Sequence, residues 1–319
     1  MEAIVFNETG KLEDVLTLKT VTINEPGFNE VQIKVVARPI NPSDEMFVQG
    51  VYRQKPIIPQ IAGLECAGII EKCGQNVDAS LLGKHAALRG RGTWAEKINI
   101  DVNNIRIIPD DITFEIACQL SLNTLTAYAL LDVAGVSKNQ WIAVTAANSS
   151  VSKQVIQMAH NRGINVIAIV RHNEQAEYLK SLGAKVVING EKDNTTLKDF
   201  ENQVNGCVDA VGGRIGGELF KLAAPYAKII LYGRLSTDPV IFYSGDVIYK
   251  NLQLLGFGID AWLATKSKNE IELAWDTIIS CIKGGSLKLS YNKLFPLKDY
   301  SQAIKAYKEK QGPVILVSE

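Results

Sequence analysis

No stretch of the chain approaches the roughly 18–20 consecutive apolar residues that a membrane-spanning helix requires, so no membrane partner is expected. The opening residues, MEAIVFNETGKLEDV, lack the basic-then-apolar layout of a secretory signal, which makes the cytoplasm the default location. Cysteine is sparse: five residues stand at 66, 73, 118, 207 and 281, the nearest two seven positions apart. An odd number at that spacing gives neither a disulfide framework nor a Cys-x-x-Cys metal site, and the cysteines read as small buried hydrophobes. Histidine is rarer still, with residues 85, 160 and 172 forming no ligand pair. An excess of one charge is also missing, because 34 Lys plus Arg balance 34 Asp plus Glu. That balance removes the global field that would draw the protein to nucleic acid or anionic lipid. The short basic run Arg89-Gly90-Arg91-Gly92 has no interleaved aromatics and reads as a surface loop. Internal repeats and low-complexity segments are absent.

What is present is a chain of 319 residues, 46% hydrophobic, enough for a large core and suggestive of two domains. The first hundred residues read as strands and turns, with short apolar or alternating runs at Ala3–Phe6, Val31–Val36, Ala67–Ile70 and Ala95–Ile98. Near Thr113 the rhythm becomes helical. Strand-like runs then alternate with helices: Trp141–Ala146, Asn165–Val170, Lys185–Ile188, Cys207–Val211, Ile229–Leu231 and Leu252–Phe257. Such alternation predicts a doubly wound parallel sheet of the Rossmann type. In the helix after Trp141–Ala146, Val151, Val155, Met158 and Ala159 share one face, and Gly163 stands at the expected C-terminal stop. Ser267 and Glu270 form a capping box before a further helix, and Val314–Val317 is a last strand. The expected architecture is α/β: a β-rich domain over 1–113 and 263–319, with the parallel-sheet domain, 114–262, inserted into it.

A strand–turn–helix crossover at the start of a parallel sheet is where a dinucleotide's diphosphate binds, drawn by helix N–H groups and the helix dipole. The usual Gly-x-Gly-x-x-Gly is missing here; the turn reads Ala146-Ala147-Asn148-Ser149-Ser150-Val151-Ser152. Serine is small and its hydroxyl can bond phosphate, and asparagine tolerates left-handed backbone. The next strand ends at Arg171, followed by His172 and Asn173, where an NAD enzyme would place an acid on the ribose 2′-OH. A guanidinium there suits the 2′-phosphate of NADPH. Asp209-Ala210-Val211-Gly212-Gly213 could reach the cofactor but reads more simply as a plain turn, and Trp262 and Trp275 read as packing residues.

A series of markers runs along nearly the whole chain: Asn41-Pro42-Ser43-Asp44, Gln49-Gly50-Val51-Tyr52, Gly63-Leu64-Glu65-Cys66-Ala67-Gly68, Leu122-Asn123-Thr124-Leu125-Thr126-Ala127-Tyr128, Asn148-Ser149-Ser150-Val151-Ser152, Tyr232-Gly233 and Leu255-Gly256-Phe257. In this order the chain resembles the medium-chain dehydrogenase/reductase superfamily, within it the zinc-free quinone oxidoreductases and 2-enoyl thioester reductases. Zinc alcohol dehydrogenases carry ligands where Asn41 and Leu64 stand; neither residue is a usual zinc ligand, so no metal is expected. The resemblance implies a GroES-like catalytic domain around the Rossmann unit and NADPH as cofactor. It places Tyr52 beside the nicotinamide as proton donor or enolate stabiliser. Asn41 and Asn123 become cofactor contacts, Ser149, Ser150, Val151 and Ser152 the diphosphate loop, and Arg171, His172 and Asn173 the 2′-phosphate site. Tyr232, Gly233 and Phe257 fall beside the nicotinamide. Ser150 and Ser152 replace family glycines, and Gly312-Pro313-Val314 lacks a lysine often found there.

The chemistry so implied is hydride transfer to a small unsaturated carbonyl acceptor, a quinone, enone or 2-enoyl thioester, with Tyr52 either stabilising the enolate or merely lining the pocket. A redox-sensing or scaffold subunit that binds nucleotide without turnover is the alternative, supported by the glycine-free loop. By the same resemblance the protein is a homodimer joined through its nucleotide-binding domains, along a strand around Val240–Phe242.

Overall fold

The computed structural model describes residues 1–192, 194–310 and 312–318; the side chains at 173, 194 and 195 lie outside the description. Among the described residues are sixteen strands: β1 (Glu2–Phe6), β2 (Thr17–Thr20), β3 (Glu30–Pro39), β4 (Gln60–Ile61), β5 (Glu65–Cys73), β6 (His85–Arg89), β7 (Lys97–Asp101) and β8 (Ile105–Ile107) come first. They are followed by β9 (Trp141–Val144), β10 (Asn165–Val170), β11 (Ala184–Asn189), β12 (Val204–Asp209), β13 (Ala223–Leu231) and β14 (Gln253–Gly256), then β15 (Lys293–Pro296) and β16 (Val314–Val317). No helix among the described residues is long and apolar enough to cross a membrane.

Two compact units are present, one of residues 1–122 with 289–319, the other of residues 123–288. The boundaries therefore fall at 122/123 and 288/289, against the expected 113/114 and 262/263. The later return has a physical cause. The helix Lys268–Lys283 opens with the expected Ser267/Glu270 capping box. Just before it, Lys266 pairs with Asp132 at 2.9 Å, and Trp262 Nε1 donates to the same carboxylate at 2.9 Å. Asp132 lies on the helix Leu125–Ala134, so this segment is fastened to the inserted unit.

The inserted unit is built on a wholly parallel six-stranded sheet in the order β11-β10-β9-β12-β13-β14. Counted from its first strand, this is the 3-2-1-4-5-6 order of the Rossmann fold, with the direction of winding reversing between β9 and β12. Its strands are apolar because helices cover both faces. In β10, NVIAIV, every residue after Asn165 is buried. Ala143, Ile167, Ile169, Cys207 and Ile229 meet Leu219 and Phe220 in one core. The helix Ser150–Asn161 buries Val155, Ile156, Met158 and Ala159, and Gly163, at φ +70°, turns the chain away behind it. Residues 240–242 are not in a strand: the Phe242 ring stacks on Phe220 with centroids 4.2 Å apart, and the outer edge of the sheet is β14.

The other unit is a β-rich body whose main sheet has seven strands, in the order β15-β16-β3-β5-β6-β8 with β7 also on β3, beside a small β2-β1-β4 sheet. Val31, Ile33, Val35, Cys66, Ile70, Ala86 and Leu88 form its core. At the join of β3 and β16 lies Arg38, fully buried and with no carboxylate bonded to it among the described residues. Its guanidinium donates to Ala95 O at 3.0 Å, to Leu316 O at 3.2 Å and to Ser318 Oγ. Cys66, Cys118 and Cys207 are buried free thiols, whereas Cys73 and Cys281 are half-buried, so the reading of every cysteine as core holds for three of five.

Candidate functional site

At the reversal point of the parallel sheet, β9 runs out through Thr145 into the turn that starts the helix Ser150–Asn161. The left-handed residue in this turn is Ala146, φ +44°, rather than Asn148. Ser149 caps the helix, its Oγ accepting from Ser152 N at 3.3 Å. The first N–H groups of a helix have no intrahelical partner, and here they converge at the carboxyl ends of the strands. No glycine is needed for this geometry because Ser152 turns inward. Its side chain is fully buried, and its hydroxyl donates to Thr145 O at 3.0 Å. With that proton committed, Ser152 Oγ can only accept from Tyr232, whose hydroxyl lies 3.1 Å away. Burial pushes the Tyr232 phenol above its usual range, so it keeps its proton and donates; the Ser149 hydroxyl is a second neighbour.

Across the reversal point stands Asp209, the last residue of β12 and fully buried. Thr145 Oγ1 donates to its Oδ1 at 2.6 Å, Val211 N to the same oxygen at 2.9 Å, and Gly212 N to Oδ2 at 3.0 Å. Ala210 N in turn donates to Thr145 Oγ1 at 2.9 Å, and Tyr232 N to Asp209 O at 2.9 Å. Gly212 sits at φ +73°, ψ −148°, a conformation open to glycine alone, which lets the chain fold its N–H groups back onto the carboxylate. The turn after β12 is thus an ordered part of the site and not a plain connection. Thr145 was not picked out from the sequence, and Asp209 only as the start of a turn; an acid and a hydroxyl ending two apolar runs were the available signal.

Of the expected residues, the structure joins Ser149, Ser152 and Tyr232 by hydrogen bonds. Gly233 follows, so close to the next loop that a Cβ there would meet Ala210 O at 2.7 Å. Ser150 and Val151 are half-buried in the first helical turn, beside Lys153, whose Nζ lies 5.2 Å from the Tyr178 ring centroid. Arg171 and His172 are exposed just beyond β10, and Asn173 begins a short 3-10 turn. The Asn173 side chain lies outside the described residues. Phe257 leaves β14 half-buried, its N–H donating to Leu231 O at 2.8 Å. Asn123 is half-buried in a π-turn, Leu120–Thr124, a wide turn frequent at functional sites.

The β-rich unit carries the remaining expected residues. Asn41 precedes the short helix Pro42–Val48 in a capping box, its N–H donating to Asp44 Oδ2 at 2.7 Å. Its amide Nδ2 donates to Glu65 Oε1 at 2.7 Å, and Glu65 Oε2 accepts from Leu122 N at 2.9 Å. Both acids are buried. Desolvation raises Glu65 to about 8 and Asp44 to about 7, each moderated by the hydrogen bonds it accepts. Leu64, also buried, offers no metal-binding atom. Among the described residues no group of three or more His, Cys, Asp or Glu is placed to hold a metal ion. Tyr52 is half-buried beyond the helix, its backbone N–H donating to Met46 O at 3.0 Å, in a loop where Lys55 Nζ donates to Gly50 O at 2.6 Å.

Comparison with known proteins agrees with both units. The model of an alcohol dehydrogenase GroES-like domain matches residues 27–110, and that of a zinc-binding dehydrogenase matches residues 151–279. The mitochondrial enoyl-[acyl-carrier-protein] reductase of Xenopus tropicalis is 32% identical over 94% of this chain and 90% of its own length. That of Caenorhabditis elegans is 32% identical over 91% and 87%. A crystal structure from Bacillus thuringiensis, described as an NADPH:quinone reductase, superposes with a TM-score of 0.93 at 27% identity, covering 100% of this chain and 99% of that one. The mitochondrial assignment of the curated relatives overturns the cytoplasmic default drawn from the opening residues.

Proposed function

The chain belongs to the medium-chain dehydrogenase/reductase superfamily, in its quinone and enoyl reductase branch, and from that premise we propose that it reduces a 2-enoyl thioester with NADPH, without zinc. The observation that carries the reading is the capped helix start at the reversal point of a 3-2-1-4-5-6 sheet, with Arg171 beyond the neighbouring strand. The donor set fits the cofactor. Helix N–H groups and the Ser149 hydroxyl suit a diphosphate, a guanidinium suits an added phosphate, and the inward Ser152 leaves the helix start clear. When bound, NADPH supplies the hydride.

This chain's own residues then have separable tasks. Ser149, Ser150 and Val151 hold the diphosphate, Arg171 with His172 and Asn173 holds the 2′-phosphate, and Tyr232, Gly233, Phe257, Asn41 and Asn123 position the nicotinamide end. Tyr52 offers its O–H to the acceptor's carbonyl oxygen, where negative charge grows as the conjugated bond is reduced. Asn41 and Leu64 replace the usual zinc ligands, so the acceptor is activated by conjugation and hydrogen bonding. An enoyl thioester is favoured over a quinone because the curated relatives named above are enoyl reductases.

The test is a fluorescence titration with NADPH and NADH, followed by turnover of crotonyl thioester and of a simple quinone. Tight NADPH binding and crotonyl turnover are expected, with Tyr52→Phe lowering the crotonyl rate by about 10²-fold. Quinone turnover alone, indifferent to Tyr52→Phe, would move the reading to quinone reduction; binding without any turnover would favour a sensor or scaffold. A homodimer is part of the same proposal. The edge strand β14 and the segment before it expose Ile241, Tyr243, Ile248, Tyr249 and Leu254, a run of apolar surface uncommon on a monomer. Light scattering that found only a 34.9 kDa particle at micromolar concentration would remove that part.

A further inference from the structure

The geometry points to Ser152, at a family glycine position, as a cofactor-positioning residue whose hydroxyl is needed there, so that restoring glycine weakens the site. The inference rests on the functional reading above, in which this end of the sheet holds NADPH. Ser152 belongs to a closed ring of hydrogen bonds over the ends of three adjacent strands. Tyr232 O–H donates to Ser152 Oγ, 3.1 Å, and Ser152 O–H to Thr145 O, 3.0 Å. Thr145 O–H donates to Asp209 Oδ1, 2.6 Å, and Tyr232 N–H closes the ring on Asp209 O, 2.9 Å. Every proton in it has one direction, since Ser152 and Thr145 each donate once and Tyr232 keeps its phenolic proton.

Two segments of the proposed cofactor site are fixed by this ring, the helix start at 149–152 and the turn at 232–233. Glycine at 152 would remove the donor from Thr145 O and the acceptor from Tyr232. The phenol would then turn to its other neighbour, Ser149, whose Oγ already caps the helix by accepting from the residue 152 N–H. Competition at that cap disorders the donors that face the diphosphate, and the cost of ordering them reappears on binding. A glycine fingerprint read by itself predicts the opposite sign, because glycine is held to allow the closest approach of backbone to phosphate.

NADPH affinity measured by fluorescence titration, alongside thermal unfolding without ligand, separates the two. Ser152→Gly, Ser152→Ala and Tyr232→Phe are each expected to bind NADPH about fivefold or more weakly, and the Ser152→Ala/Tyr232→Phe pair no more weakly than the worse single change, as coupled partners do. Ser152→Ala and Tyr232→Phe keep the packing and carry the test if the glycine variant does not fold. Unchanged or tighter binding by the folded variants, with only the melting temperature lowered, overturns the inference while leaving the functional reading intact. Failure of the unaltered protein to bind NADPH overturns both.

Discussion

In the inserted unit, the buried Asp209 carboxyl group receives three hydrogen bonds shared between its two oxygens, whereas in the β-rich unit the buried Asp44 leaves Oδ1 without a partner among the described residues. The donors to Asp209 come from Thr145 and from the turn that follows it, so the carboxyl group gathers that turn around itself. Asp44 accepts from Asn41 N, and Glu65 from Asn41 Nδ2 and Leu122 N with Ser121 Oγ 3.4 Å away, yet burial raises both acids towards neutrality. A sealed carboxyl group can be met by hydrogen-bond donors or, as burial favours at Asp44 and Glu65, can hold a proton and become neutral. The first orders a loop, as an anion-binding site needs. The second makes stability depend on pH.

The comparison can be broken most severely at Asp209. Asp209→Ala leaves the Thr145 hydroxyl and two backbone N–H groups unpaired, and is expected to lower unfolding stability by about 3 kcal/mol in a urea titration. A loss below about 1 kcal/mol would mean that these bonds are not what orders the turn. Next comes the charge meant to face the ligand. Arg171→Ala should weaken NADPH about 10- to 100-fold with little effect on NADH, read from paired titrations. Equal losses for both coenzymes would detach Arg171 from the 2′-phosphate. The smallest effect belongs to the β-rich unit. The folded chain keeps protons on Asp44 and Glu65 that the unfolded chain has released, between the ordinary carboxyl range and about 7 and about 8. Stability therefore falls as pH rises through that window and levels off above it. Relative to the unaltered protein, Asp44→Asn should therefore gain about 1 kcal/mol of stability between pH 6 and pH 7, checked by urea unfolding at the two values. A stability that instead rises with pH would show the acids to be charged in the folded state.

The sequence made the local features readable. Asn165–Val170 is bounded as the apolar run implied, Gly163 and the Ser267/Glu270 box stand where they were placed, and the serine-rich turn does start a helix at the end of the first parallel strand. What it hid depends on residues far apart in the chain. Thr145 and Asp209 are 64 positions apart and meet only once β9 and β12 lie side by side. Asn41 finds Glu65 across 24 residues, and Leu122 finds it across 57, through the π-turn that interrupts the expected continuous helix. The inward turn of Ser152 was hidden for the same reason. Read along the chain, it is a missing glycine; read across the sheet, it is the partner of Tyr232.

The position of Arg38 ties the β-rich unit to the segment that carries β16. Two of its hydrogen bonds, to Leu316 O and Ser318 Oγ, form only when β16 pairs with β3 in the finished sheet. On the ribosome, residues 123–288 are made as one stretch with its own core, whereas β3 is made long before its neighbour β16. A nascent chain arrested near residue 300 should accordingly resist protease across the parallel sheet and remain cleavable within residues 1–122.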